Sequence, residues 1–169
     1  MGPVFTEIDI DAPREKIQDY LMDFATRKEL YGDSVEDFRL LRVNSRGVGA
    51  GARFRFARRS AWADSSITAA EPGRVSERGV TGSYNKTGTG TEWELAEAPN
   101  GVTRLRLSYW TEPTGLAKAL DRLTGGAGWH ERRLKRAAAR LRDLMEAEAA
   151  PAAAPVQVAG GNRHTTGVF

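Results

Sequence analysis

Glu77 and Arg78 are neighbours in Val75 to Val80, a stretch whose residues read as a β-strand. Successive side chains of a strand point to opposite faces, so one of this pair faces the interior and the other faces water. An interior glutamate is suited to take a proton from an activated carbon. An interior arginine instead holds a carboxylate, enolate or phenolate oxygen in its planar fork of donors. Alternation leaves open which of the two is inside. Tyr31, Tyr84 and Tyr109 offer hydroxyls to a developing oxyanion, and Asp64 is a further candidate if its strand turns that side inward. Glu77, Arg78 and Tyr109 form the candidate catalytic set. The two histidines, His130 and His164, have no partner at the spacing of a metal site or a Ser-His-Asp arrangement. Zero cysteines exclude disulfides, Cys-ligated zinc, iron–sulfur clusters and a thiol nucleophile. No metal and no cofactor is implied.

The elements that position these residues follow from periodicity. Val4, Thr6, Ile8 and Ile10 alternate with Phe5, Glu7 and Asp9, the pattern of a strand with one buried face. Asp11-Ala12-Pro13 then opens a short helix in which Ile17, Tyr20, Leu21 and Phe24 share a face. A second short helix over Lys28 to Tyr31 stops at Gly32. Strands are expected at Val35 to Asn44, Ala52 to Phe56, Ser65 to Ala70, Val75 to Val80, Thr87 to Ala96 and Val102 to Thr111. Glu71-Pro72-Gly73 and Pro99-Asn100-Gly101 are strong turn signals between them. A long helix follows, capped by Thr114, with Leu116, Leu120 and Leu123 on one face. It resumes with Leu134, Ala138, Leu141 and Met145 after Gly125, Gly126 and Gly128, so it is one kinked rod or two abutting ones.

The chain has 169 residues, 40% hydrophobic and 28% charged, which suits a single domain. We divide it into a domain over residues 1–149 and a flexible Ala/Pro/Gly-rich tail over 150–169. No run approaches the ~20 apolar residues of a membrane span. Met1-Gly2-Pro3-Val4 has neither the basic nor the apolar segment of a secretory leader, so a cytoplasmic location is expected.

Several stretches resemble the START-like (SRPBCC) helix-grip superfamily, in its polyketide cyclase/dehydrase branch. They are Glu7 to Pro13, Gly49 to Phe54, Ala70 to Arg74, Gly90 to Leu95, Gly101 to Leu107 and the terminal helix, together covering residues 3–148. The resemblance implies an α+β helix-grip fold: a curved seven-stranded antiparallel sheet with two short helices, gripping a long C-terminal helix over a cavity. It also implies a hydrophobic or aromatic small molecule as ligand. Aromatase/cyclases of this superfamily use arginine and tyrosine to fold and dehydrate a poly-β-ketone without a cofactor, but the motifs here are strand and turn signatures and transfer none of those residues.

Alternation selects the side chains that face such a cavity. Phe54 and Phe56, Ile67, Trp93, Leu105, Leu107 and Leu120 are the candidate ligand-binding residues, backed by the small Ala61, Ala63, Ser65 and Ala69. The opposite sets, Arg53 and Arg55, Glu92 and Glu94, Arg104 and Arg106, belong in water. Three readings result. The chain is a cofactor-free cyclase or dehydrase, a non-catalytic carrier or sensor of a lipid-like molecule, or an interaction module. The last would use the arginines at 39, 42, 46, 53, 55, 58 and 59, or a partner docked on Asn162 to Phe169. Nucleic acid ranks below a small ligand, because the basic stretch has no platform of aromatic residues. The arginines of the terminal helix, Arg133 among them, read as a solvated face.

Overall fold

The computed structural model describes residues 2–57, 62–82, 87–113 and 127–149. Its strands are β1 (Val4–Ile10), β2 (Val35–Leu40), β3 (Gly51–Phe56), β4 (Trp62–Glu71), β5 (Arg74–Thr81), β6 (Thr87–Glu97) and β7 (Thr103–Pro113). They form one antiparallel sheet in the order β1-β7-β6-β5-β4-β3-β2. The helices are α1 (Arg14–Leu21), α2 (Arg27–Tyr31) and α3 (Ala127–Ala149). This is the α+β helix-grip architecture, with the curved sheet on one side and α3 lying against β1, β7 and α2 on the other.

Period-two burial explains why β1 forms where it does: Thr6 and Ile10 are buried while Phe5, Glu7 and Asp9 are exposed. Its register with β7, Val4 opposite Tyr109 through Ile10 opposite Thr103, sets the inner face of both strands. The buried Thr103 hydroxyl donates to the Ala12 carbonyl at 2.7 Å and fixes the corner where β1 turns toward α1. Pro13 takes the N-cap, and Ile17, Leu21 and Phe24 go into the core as the helical spacing requires. Leu134, Ala138, Leu141 and Met145 of α3 are all buried, completing the other half of that core. Gly73 closes the β4–β5 turn at φ +77°, where a Cβ would stand 2.7 Å from the Leu95 carbonyl oxygen. Gln18 of α1 clamps the same turn, donating to Glu71 O at 2.9 Å and accepting from Gly73 N at 2.8 Å.

Two strands depart from the expectation. The first β-stretch after the short helices ends at Leu40 rather than Asn44, and its pairing with β3 shifts register between Glu36 and Arg39, where Asp37 has φ +51°. Such an irregularity twists an edge strand away from continuous pairing. In β4 a register shift between Ile67 and Ala69 turns Ala69 outward and leaves it exposed, so it does not share the inner face with Ile67. Ala61, the expected helix over 114–126 with Leu120, and the tail over 150–169 lie outside the described residues. Among the described residues, no helix is long and apolar enough to cross a membrane.

Candidate ligand-binding site

The alternation of β5 resolves the Glu77/Arg78 pair. Val75 and Glu77 face inward with the buried Trp93, whereas Arg78 is exposed on the outer face, its guanidinium 4.5 Å from the ring centre of Trp110. Glu77 is 1% exposed and fully engaged at one oxygen. Its Oε1 accepts from Arg27 Nη2 at 2.6 Å and from Trp93 Nε1 at 2.8 Å, and its Oε2 accepts from the Ser65 hydroxyl at 2.9 Å. Arg27 is also buried, and the same Nη2 donates to the Leu21 carbonyl at 2.6 Å. The Arg27 guanidinium carbon stands 4.9 Å from the Trp93 ring centre and 5.3 Å from that of Phe24. Those π faces supply compensation for Nε and Nη1, which have no hydrogen-bond partner among the described residues. The result is a buried ion pair that ties α2 to the middle of the sheet and holds the Trp93 indole in one orientation.

Beside it lies a group of aromatic rings contributed by α2, β2, β3, β7 and α3. Phe54 touches Tyr31 at 5.5 Å, Phe38 at 6.0 Å and Phe56 at 5.2 Å between ring centres, and Phe56 meets Trp129 at 5.8 Å. Tyr109, 5% exposed, stacks on His130 at 4.8 Å. The Arg133 guanidinium sits among these rings, 4.1 Å from Phe56, 5.0 Å from Tyr109 and 5.4 Å from Trp129. Tyr31, Phe38, Trp129 and Arg133 are each only partly buried. Burial first, and then the nearby Glu77 carboxylate, push the Tyr31 hydroxyl up to about 12. That phenol stays protonated at neutral pH, and its hydroxyl makes no hydrogen bond among the described residues.

The structure therefore brings Glu77, Tyr109, Phe54 and Phe56 to one face and sends Arg78 to the other. Ile67, Trp93, Leu105 and Leu107 also face inward, but each is at most 1% exposed, and their surfaces are taken up by protein neighbours. Asp64 is on the outer face, paired with Arg53 at 2.7 Å. Tyr84, Leu120 and His164 lie outside the described residues. Three participants escape a reading by residue type. Arg27 falls at helical spacing between Phe24 and Leu30, and Arg133 between Trp129 and Ala137, so both occupy apolar stripes that their charge disguises. Arg133 is accordingly not part of a solvated face. Ser65 was visible on the inner strand face only as a small residue. Within the arginine run, Arg53 pairs with Asp64, Arg55 with Asp37 at 2.8 Å and Glu36 at 3.2 Å, and Arg46 with Asp19 at 2.9 Å, while the exposed Arg39 stands 6.0 Å from the Trp62 ring centre. Arg58 and Arg59 lie outside the described residues.

The family model described as polyketide cyclase / dehydrase and lipid transport matches residues 1–146. No curated protein matches the chain in sequence. In structure the chain is similar to norcoclaurine synthase of Thalictrum flavum in complex with dopamine and hydroxybenzaldehyde, with TM-score 0.65 and 11% identity over 86% of this chain and 87% of that one. It is also similar to the solution structure of KanY, with TM-score 0.63 and 18% identity over 86% and 99% of the two chains. A third similar structure, the hypothetical protein jhp0584 of Helicobacter pylori, gives TM-score 0.66 and 14% identity over 85% and 88%. At these identities the structural likeness speaks for the fold. The match across nearly all of the described chain, on a sheet and helix arranged as that fold requires, means that this protein belongs to the polyketide cyclase / dehydrase and lipid transport family of the START-like (SRPBCC) superfamily.

Proposed function

We propose that the chain binds an apolar or aromatic small molecule between the inner face of its sheet and α3, in the cytoplasm, a compartment its zero cysteines suit. The observation that carries this reading is the ring group in which the partly buried Tyr31, Phe38 and Trp129 surround the buried Phe54, Phe56 and Tyr109, with a Tyr31 hydroxyl that makes no hydrogen bond among the described residues. Flat rings lined by such side chains gain dispersion and lose water on binding. The complex of norcoclaurine synthase with two small aromatic molecules supports the same type of occupant in this fold. Phe54 and Phe56 contact the ligand, and Ile67, Trp93, Leu105 and Leu107 support that wall from the core.

A second reading, cofactor-free cyclisation or dehydration by proton abstraction beside a carbonyl, is favoured by Tyr31. A phenol kept protonated donates to the enolate oxygen that forms. In this reading Tyr31 and Tyr109 are the hydroxyl donors. The proton leaving the carbon passes to Glu77 Oε2, whose one hydrogen bond comes from Ser65, while Oε1 orients Trp93 and Arg27 and Arg78 on the outer face takes no part.

Titration of the purified protein with naphthalene, followed by tryptophan fluorescence, tests the binding reading. Saturable quenching that is lost in Trp129→Phe is expected. Absence of saturable quenching overturns it. A carrier keeps its ligand unchanged in native mass spectrometry, and Tyr31→Phe alters affinity alone; an enzyme releases a product lighter by water or cyclised, and Tyr31→Phe lowers turnover with the substrate still bound.

A further inference from the structure

Where β2 ends and the chain turns toward β3, four large apolar side chains stand in water: Leu40, Leu41, Val48 and the wholly exposed Val43. Among the described residues the one other large apolar side chain so exposed is Phe5, and the Arg106 guanidinium rests 4.5 Å from its ring centre. Single exposed apolar residues are ordinary on a surface, but a cluster of them marks a contact. Backbone hydrogen bonds hold this turn in shape. Leu41 N donates to Gly51 O at 2.9 Å, Phe24 N to Ser45 O at 2.8 Å, Gly47 N to Met22 O at 3.0 Å and Gly49 N to Ile67 O at 2.8 Å. The apolar tips are therefore presented in advance, and a partner has little chain to order. Arg39, Arg42 and Arg46 are interleaved with them, all exposed, and no acidic residue occurs between Phe38 and Ala63. The carboxylates at the margin are engaged: Asp19 with Arg46, Glu36 and Asp37 with Arg55, and Asp23 with the Ala25 amide. Arg39 lies near the Trp62 ring and Arg42 beside Gly49, and neither meets a carboxylate among the described residues.

We infer that the β2–β3 turn docks the protein on an anionic lipid surface, with Leu41, Val43 and Val48 entering the headgroup layer and Arg39 and Arg42 on its phosphates. Aliphatic tips ringed by guanidiniums match such a surface in both polarity and charge. A second copy of the chain matches it poorly, since contact about a two-fold axis would set arginine against arginine. Tyr31, Phe54 and Phe56 take no part, so docking stands or falls separately from ligand binding.

The test is co-sedimentation of the whole chain with phosphatidylcholine vesicles, alone or with about one-third phosphatidylglycerol. The wild type should bind the anionic vesicles, far less the neutral ones, and more weakly as salt rises. Arg39→Gln with Arg42→Gln should weaken binding about thirtyfold, the worth of two cations at a lipid surface. Leu41→Ser with Val43→Ser should weaken it about tenfold or more, through lost apolar burial. On the anionic vesicles the emission of Val43→Trp should move to the blue relative to the wild type, as its indole enters the interface. A wild type that does not bind overturns the inference, and so does binding that survives the serine pair, which would then rest on charge alone or on another face. A wild-type dimer that the serine pair splits, seen by sedimentation without lipid, gives the face to a second copy and overturns it equally. Should either double variant fail to fold, the Val43→Trp emission decides, and no blue shift overturns the inference.

Discussion

On the inner face Arg27 and Glu77 are 2.6 Å apart with side-chain exposures of 0% and 1%, whereas on the outer face Arg53 and Asp64 are 2.7 Å apart with exposures of 47% and 18%. The contact geometry is nearly the same and the surroundings are not. Across the outer face Arg104 grips Asp9, Arg74 meets Glu92, and Arg106 stands 3.8 Å from both Glu7 and Glu94. Water and salt can replace each of these partners, so the outer pairs set cross-strand register and solubility more than stability. Nothing can replace a partner inside. The inner pair was desolvated when the chain folded, and each member's presence depends on the other.

The largest effect expected from this contrast is that of Arg27→Met. It leaves the Glu77 carboxylate buried with its cation gone and should lower unfolding free energy by about 3–5 kcal/mol. Adding Glu77→Leu should recover a large part of that loss, because both charges are then absent. A double-mutant cycle by urea denaturation that came out additive would erase the distinction between the faces. Gly90→Ala comes next and tests whether the outer face is loosely built throughout. A Cβ at Gly90 would stand 2.2 Å from the Trp110 ring and 2.3 Å from Arg78 Nη1, so Trp110 must shift. The cost should be about 1–3 kcal/mol and should shrink in a Trp110→Thr background.

The smallest effects are pH-dependent and opposite in sign. Tyr31 has its hydroxyl pushed up to about 12, so its share of stability is complete below the ordinary tyrosine range near 10 and is lost as pH rises toward 12. Tyr31→Phe should remove that alkaline loss. Asp9 is held below the ordinary carboxylate range by its hydrogen bond to Arg104, so its contribution is present at neutral pH and is lost as pH falls through the acid range. Asp9→Asn should remove only a slight part of the acid sensitivity. A larger change from the exposed aspartate than from the partly buried phenol, measured by unfolding across pH, would reverse the ordering of the two faces.

Much of this was legible in the chain itself. Alternation from Val4 to Ile10 and across Thr91, Trp93 and Leu95 identifies inward positions, and the spacing of Leu134, Ala138, Leu141 and Met145 identifies the buried side of α3. The same alternation narrows Glu77 and Arg78 to one inward residue without choosing it, since the choice depends on register with Trp93 on the next strand. Ala69 departs from the alternation because a register shift in β4 inverts parity and has no mark in residue type. Arg27 and Arg133 are hidden for a different reason. A cation in an apolar stripe looks like a solvated residue until its counterion and rings, Glu77 and Trp93 for one and Phe56 and Tyr109 for the other, are brought from distant positions. The partners of the exposed arginines were equally distant, with Arg104 meeting Asp9 across 95 residues of chain.

The sheet order has a kinetic consequence. β1 and β2 follow one another in the chain yet occupy opposite edges, and the sheet neighbour of β1 is β7, with Val4 aligned to Tyr109. A nascent polypeptide leaving the ribosome must carry its opening strand unpaired while β2 to β6 are synthesised. Pairing so remote in sequence raises contact order and slows the closing step. Until β7 arrives, Phe5 and Ile8 have no edge to join, and quality-control chaperones would meet the protein in that interval.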